Sequence, residues 1–268
     1  MIKWIFSDID GTILPYYRPF SARTVATLSN CPVPLSLVSG RMPIQMRSMI
    51  EQLGLTGIHC ANNGAVIFEV ARGKTTILKT FPIKTVTVQK VMAQLSVCFP
   101  KLHYCWYGLN QWYANGLDPD VEEEAEYTGI QPRLQQRPAI DDKVLAMLVI
   151  VSSDEQFDQV ATAIRQLALP DIRIYSTGDG YLEITSDSAG KSTIIDFVRQ
   201  HFSLSKEELA AFGDGGNDLA MLSAVGWPVA VDNAAQDVKM IAKKIVPSAE
   251  NDGVACQIRQ WLADGQLV

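Results

Sequence analysis

The chain has 268 residues, more than one ordinary domain of about 150 residues and long enough to bury a sizeable core without disulfides or a structural metal. It is 47% hydrophobic and 19% charged with 18 Gly and 13 Pro, which excludes a disordered, collagen-like or mini-protein chain. Lys and Arg total 23 against 29 Asp and Glu, a net charge of −6, so the chain as a whole lacks the concentrated positive surface that nucleic acid demands.

In chain order, the first elements alternate strand and helix. Ile2 to Ser7 is a short apolar run that reads as a buried parallel strand. Ser21 caps a helix to Leu28, and Pro34 to Val38 is a second strand. Pro43 opens a helix carrying Ile44, Met46, Met49, Ile50 and Leu53, with Gly54 as its stop. Ile58 to Ala61 is a third strand, and the turn Asn63-Gly64 leads into a fourth from Ala65 to Phe68.

The middle differs. Val88, Val91, Met92, Leu95 and Phe99 fall at helical spacing. His103 to Tyr107 and Gln111 to Ala114 form an aromatic hairpin, and Asp118-Pro119 opens a helix. Glu122-Glu123-Glu124 with Glu126 reads as a solvated face of that helix. Val144 to Ser152 is a strand and Phe157 to Leu167 a helix. Ile172 to Tyr175 and Tyr181 to Thr185 are strands around the turn Thr177 to Gly180.

After residue 188 the alternation returns. Helices are expected over Ser192 to Phe202, Asn217 to Val225, Ala235 to Lys243 and Gly253 to Leu262, and Ser205 with Glu208 forms a capping box. Strands are expected over Ala210 to Gly213, Pro228 to Val231 and Ile245-Val246. Residues 1–82 and 187–268 therefore read as one α/β domain with a parallel-sheet core, interrupted by an α+β insert at 83–186.

No apolar run in the middle exceeds Val144 to Val151, far below the roughly 20 residues of a membrane span, and the N-terminus lacks a signal-peptide pattern. Five scattered cysteines without a C-x-x-C pair fit reduced thiols, so a cytoplasmic protein without a membrane partner is expected.

Four motifs carry chemistry. Asp8-Ile9-Asp10-Gly11-Thr12 stands at the carboxyl end of the first strand, the edge where open α/β sheets bind ligands. In an extended segment Asp8 and Asp10 face one space. Two carboxylates about 4 Å apart repel by roughly 4 kcal/mol at an effective dielectric near 20, so such a pair calls for a shared proton or a cation. Gly213-Asp214-Gly215-Gly216-Asn217-Asp218 also lies between strand and helix, and its oxygen donors suit Mg²⁺. Ser39-Gly40-Arg41 offers a hydroxyl and amides at a helix start, an anion site or an ordinary cap. Lys191 opens the returning helix. Gly190-Lys191-Ser192 is no nucleotide P-loop, because Thr185 stands where that motif requires glycine.

These motifs, in this order and over the whole chain, resemble the haloacid dehalogenase superfamily. More narrowly they resemble its Cof-type sugar-phosphate phosphatases, which carry a large α/β (type IIB) cap; Asn63-Gly64-Ala65 fits that subfamily as well. The one local departure is Ser192 after Lys191, where the family often has Gly.

The resemblance implies a Rossmann-like sheet with helices on both faces, plus an inserted cap that closes over the site and selects the leaving group. It also implies Mg²⁺-dependent hydrolysis of small phosphorylated metabolites. Asp8 is the implied nucleophile and Asp10 the implied acid and base. Asp8, Asp10 through its carbonyl, Asp214 and Asp218 are the implied metal ligands. Thr12, Ser39, Gly40, Arg41, Lys191 and Asn217 are the implied phosphate binders. The insert's aromatics, Tyr104, Trp106, Tyr107, Trp112 and Tyr113, serve either a sugar or the insert's own core. A monomer or homo-dimer is expected. A phosphomutase or phosphotransferase using Asp8, and a non-enzymatic phospho-acceptor switch, are the competing readings.

Overall fold

The computed structural model describes residues 1–139, 141–151, 154–176 and 180–267, and the counts below concern these residues. The chain divides into two compact units, Met1–Lys79 with Gly190–Val268, and Thr80–Ala189.

The first unit begins with β1 (Trp4–Ser7), α1 (Ala22–Ser29), β2 (Leu35–Leu37), α2 (Pro43–Gln52), β3 (Gly57–Ala61), β4 (Val66–Ala71) and β5 (Lys74–Thr80). Ser21 caps α1 by accepting the Thr24 N–H at 3.0 Å, and Pro43 opens α2.

The second unit holds α3 (Thr85–Cys98), β6 (Tyr104–Tyr107), β7 (Trp112–Ala114), α4 (Pro119–Thr128), β8 (Arg133–Leu134), β9 (Ala146–Ile150), α5 (Asp154–Arg165), β10 (Ile172–Ser176) and β11 (Tyr181–Ser186). The first unit then resumes with α6 (Thr193–Phe202), β12 (Leu209–Gly213), α7 (Leu219–Ser223), β13 (Trp227–Val231), α8 (Gln236–Ile241), β14 (Lys244–Val246) and α9 (Gly253–Ala263).

The first unit is built on a parallel sheet ordered β14-β13-β12-β1-β2. β3, β4 and β5 form a three-stranded sheet in which β3 and β4 run antiparallel. The parallel register decides where the chemistry sits. Ser7 lies opposite Phe212 and Leu37, so the chain leaves all three strands at one edge. Asp8, Gly213-Asp214 and Ser39 emerge there together. The bridge Val38–Cys60 and the Ser39 N–H bond to Cys60 O at 3.0 Å bring the end of β3 to the same edge.

The second unit is a six-stranded sheet ordered β10-β11-β9-β6-β7-β8. Tyr104, Trp106, Met147, Val149, Leu182 and Ile184 face α3 and α5 in one apolar cluster. Strand alternation selects them: every second residue points to that face. Tyr104 and Trp106 are therefore core residues, and Trp112 is buried with its Nε1 donating to Ile130 O at 2.8 Å.

Three expectations need correction. Glu122, Glu123 and Glu126 are exposed, but Glu124 is buried and accepts from Tyr181 Oη at 3.2 Å, because the helical turn carries it inward with Val121 and Ala125. The helix expected from Asn217 to Val225 is a 3-10 turn, Gly216–Asp218, followed by the short α7. β5 was not expected; it is almost wholly solvent-facing, so no alternation of apolar residues marks it. Residues 177–179 of the expected turn, and Ser152 at the end of its strand, lie outside the described residues.

Candidate active site

Three carboxylates converge at the sheet edge. Asp8, Asp214 and Asp218 each offer an oxygen, and these atoms lie within 4.8 Å of one another. One cation meets them: Lys191 Nζ stands 2.5 Å from Asp8 Oδ1 and 2.7 Å from Asp218 Oδ1. Lys191 is only 2% exposed and Asp218 fully buried. Burial alone would discharge the ammonium, but the attraction of Asp218 and Asp8 outweighs it and holds the Lys191 pKa above its usual value.

The carboxylates respond the other way. Burial pushes the Asp8 pKa well above the ordinary range, against the pull of Lys191, and Asp218 and Asp214 push it further. Asp214 rises to about 6, chiefly through burial, despite the hydrogen bond from Thr12. Three acids around one ammonium leave a deficit of positive charge in an all-oxygen pocket. That is the chemistry a hard divalent cation such as Mg²⁺ satisfies. Among the described residues this is the one group of three or more acidic, His or Cys side chains spaced for a metal ion.

Asp218 is already well supplied with donors. Its Oδ2 accepts the Asp214 and Gly215 N–H groups at 3.0 Å each, and its Oδ1 holds Lys191. It braces the Gly213–Asp218 loop from within. Thr12 is fully buried and donates its hydroxyl to Asp214 Oδ1 at 2.5 Å. Gly11 makes this approach possible: its φ is +78°, and a Cβ there would stand 2.6 Å from Asp214 Oδ2.

Asp10 takes no part in the three-carboxylate cluster through its side chain. It is held by Arg41, whose Nε donates to Oδ2 at 2.8 Å and Nη2 to Oδ1 at 2.7 Å. Ser39 is buried and its Oγ accepts the Arg41 N–H at 3.2 Å. Gly40 packs against Asn63, with room for a Cβ only 3.1 Å from Asn63 Nδ2. Asn217 donates to Asn63 Oδ1 at 3.1 Å.

The structure thus joins Asp8, Thr12, Lys191, Asp214 and Asp218 in one network, Asp10 with Arg41 and Ser39 in a second, and Gly40 with Asn217 through Asn63 in a third. Asn63 and Asn233 were missed. Asn63 has φ +47° and its N–H bonds Ser39 O at 3.0 Å, so a residue read as a hairpin turn links two motifs. Its signals were the Asn-Gly turn and the likeness of Asn63-Gly64-Ala65 to the Cof-type subfamily. Asn233 donates to Gly11 O at 2.7 Å and accepts the Ala249 N–H at 3.0 Å, pinning the turn after Asp10. A lone Asn after a strand carries no such signal. Gly64, at φ +101°, lies so close to the Gly190 backbone that no side chain fits, which fixes the start of α6 and hence Lys191.

A family model described as haloacid dehalogenase-like hydrolase matches residues 5–258. The chain belongs to this family. A Haemophilus influenzae relative whose name places it among phosphatases is 26% identical over 259 residues, covering 95% of this chain and 96% of its own. The HMP-PP phosphatase of Yersinia pseudotuberculosis is 22% identical, with 97% and 95% covered. A haloacid dehalogenase-like hydrolase from Bacteroides thetaiotaomicron shares the fold at a TM-score of 0.85 and 23% identity, covering 97% of this chain and 99% of that one. A Thermotoga maritima protein does so at 0.83 and 19%, with 97% of each chain covered. No helix of this hydrolase, among the described residues, is long and apolar enough to cross a membrane.

Proposed function

We propose that this hydrolase is a Mg²⁺-dependent phosphatase that cleaves phosphate monoesters of small metabolites through an aspartyl-phosphate on Asp8. The convergence of Asp8, Asp214 and Asp218, two of them bonded to Lys191, carries the reading. The phosphatase names among the relatives, and the small phosphorylated metabolite in one of them, support the same class.

Asp8 and Asp214 would hold the metal, with the Asp10 carbonyl, and Asp218 would stand behind them as a brace for Asp214 and Lys191. Magnesium bound there supplies positive charge against the phosphoryl oxygens. The steps belong to the chain's own groups. An Asp8 carboxylate oxygen attacks phosphorus, and the bond from phosphorus to the ester oxygen breaks as Asp10 gives that oxygen its proton. Asp10 then takes a proton from water. The water oxygen bonds to phosphorus, the acyl phosphate bond breaks, and inorganic phosphate leaves with Asp8 restored. Lys191 and the charge of a bound metal would draw Asp8 toward its ionised form against its burial, and Lys191, with Ser39, Asn217 and the amide of Gly40, binds the phosphoryl oxygens. Thr12 acts through Asp214, which it already holds. The unit Met1–Lys79 with Gly190–Val268 is the catalytic core in this reading, and Thr80–Ala189 is the cap that chooses among esters.

The test is phosphate release from a panel of sugar phosphates, nucleotides and p-nitrophenyl phosphate. Release with Mg²⁺ and its loss with EDTA are expected. Release that persists unchanged in EDTA, or none from any monoester, contradicts the proposal.

A further inference from the structure

We infer that Arg41 is a positioning residue for Asp10, and that it acts on the reaction through that carboxylate rather than by binding the phosphoryl group. The inference rests on the acid and base role proposed above for Asp10.

The guanidinium meets Asp10 edge to edge, with two hydrogen bonds of 2.7 and 2.8 Å from different nitrogens to different oxygens. Two parallel bonds fix both the position and the rotation of a carboxylate, which one bond cannot do. The pair is sheltered, with the Arg41 side chain 15% exposed and that of Asp10 27%. The clamp itself stands on a fixed base. The Arg41 N–H bonds Ser39 Oγ at 3.2 Å, and the Arg41 carbonyl accepts the Asn62 N–H at 3.0 Å. Asn62 is fully buried in the turn that follows β3. The guanidinium is therefore launched from backbone tied at both ends.

Asp10 needs such a clamp. It precedes Gly11 at positive φ, in a tight turn where the backbone alone does not orient its side chain. A group that gives a proton to one oxygen and takes one from another must be held in one place, since a displacement near 1 Å costs about 10²-fold in rate. Each carboxylate oxygen has two acceptor positions, and the fork occupies one on each. One on each remains for the reacting oxygens.

The experiment compares Arg41→Ala, Arg41→Lys, Asp10→Asn and the Asp10→Asn/Arg41→Ala double variant on p-nitrophenyl phosphate and β-glycerophosphate. Arg41→Ala should lower kcat for the alkyl ester by about 10- to 100-fold with KM within about 2-fold. In kcat/KM the loss should be smaller for p-nitrophenyl phosphate, whose leaving group departs without a proton. The double variant should be no slower than Asp10→Asn alone within about 2-fold, because a clamp has nothing to do once its carboxylate is gone. Arg41→Lys, which supplies a single point of contact, should recover part of kcat, and it carries the same readouts if Arg41→Ala does not fold. A raised KM with kcat retained, equal losses on both esters, or losses that multiply in the double variant would overturn the inference while leaving Asp10 in its role. Wild-type turnover by Asp10→Asn would instead overturn the role of Asp10, and the inference with it.

Discussion

The two compact units bury different things and join their residues over different distances. The first unit seals a Lys and two Asp side chains at the edge of a parallel sheet, and its decisive contacts span the chain: Lys191 with Asp8, Thr12 with Asp214, Asn217 with Asn63. The second unit, on its α3 and α5 face, buries an apolar cluster, and its sheet is assembled chiefly from antiparallel neighbours such as β6 with β7 and β10 with β11. A parallel sheet sends every strand end to one edge, so residues far apart in sequence meet there. An antiparallel meander alternates its ends and gathers mainly local partners. The network of Lys191 with Asp8, Asp214 and Asp218 therefore gathers in the first unit, and substitutions in the two units should fail in different ways.

The largest effect is expected at Lys191. Lys191→Met leaves Asp8 and Asp218 facing each other with their cation removed. The metal-free protein should lose about 3–5 kcal/mol in urea unfolding, and turnover should vanish. Unchanged stability would mean the buried network contributes nothing to the fold.

A comparable loss of stability without loss of chemistry is expected in the other unit. Trp106 fills the insert's core beside Tyr104 and Tyr113, and Trp106→Ala should cost about 3–5 kcal/mol. Turnover of p-nitrophenyl phosphate per folded molecule should stay within a few-fold. Turnover lost from protein that circular dichroism reports as folded would break the distinction between the units.

The smallest effect separates buried polarity that serves chemistry from buried polarity that does not. His59 lies fully buried on β3, its Nδ1 accepting the Leu37 N–H at 3.1 Å, with no hydrogen-bond partner for Nε2 among the described residues. Burial lowers its pKa from 6.5 to about 3. Between those values the unfolded chain binds a proton that the folded chain refuses, so stability is intact above pH 6.5 and is lost as pH falls. The expected slope is about 1.4 kcal/mol per pH unit from this residue. His59→Gln should flatten the decline in urea midpoint from pH 6.5 to pH 4. An unaltered slope would show that the ring is protonated in the fold.

What could be read from the sequence follows the same division. The alternation of strands and helices, Ser21 and Pro43 at helix starts, and the four motifs were legible because each is a local pattern with a local cause. The resemblance grouped Asp8, Asp214, Asp218 and Lys191, but the partners of other side chains were not legible. That Arg41 reaches Asp10 rather than open space depends on where two loops from different strands cross the sheet edge. Asn233 is one asparagine among many until Gly11 and Ala249 are seen on either side of it. Glu124 looked like its acidic neighbours, and only the rotation of α4 over its sheet turned it toward Tyr181.

The central claim is that Asp8 accepts the phosphoryl group. Asp10→Asn protein is mixed with p-nitrophenyl phosphate and Mg²⁺, quenched in acid, digested and weighed by mass spectrometry. The account predicts one phosphoryl group on the peptide that carries Asp8, and none when Asp8→Asn is added. Wild-type release of phosphate by Asp8→Asn, with no phosphorylated peptide in either protein, would contradict it.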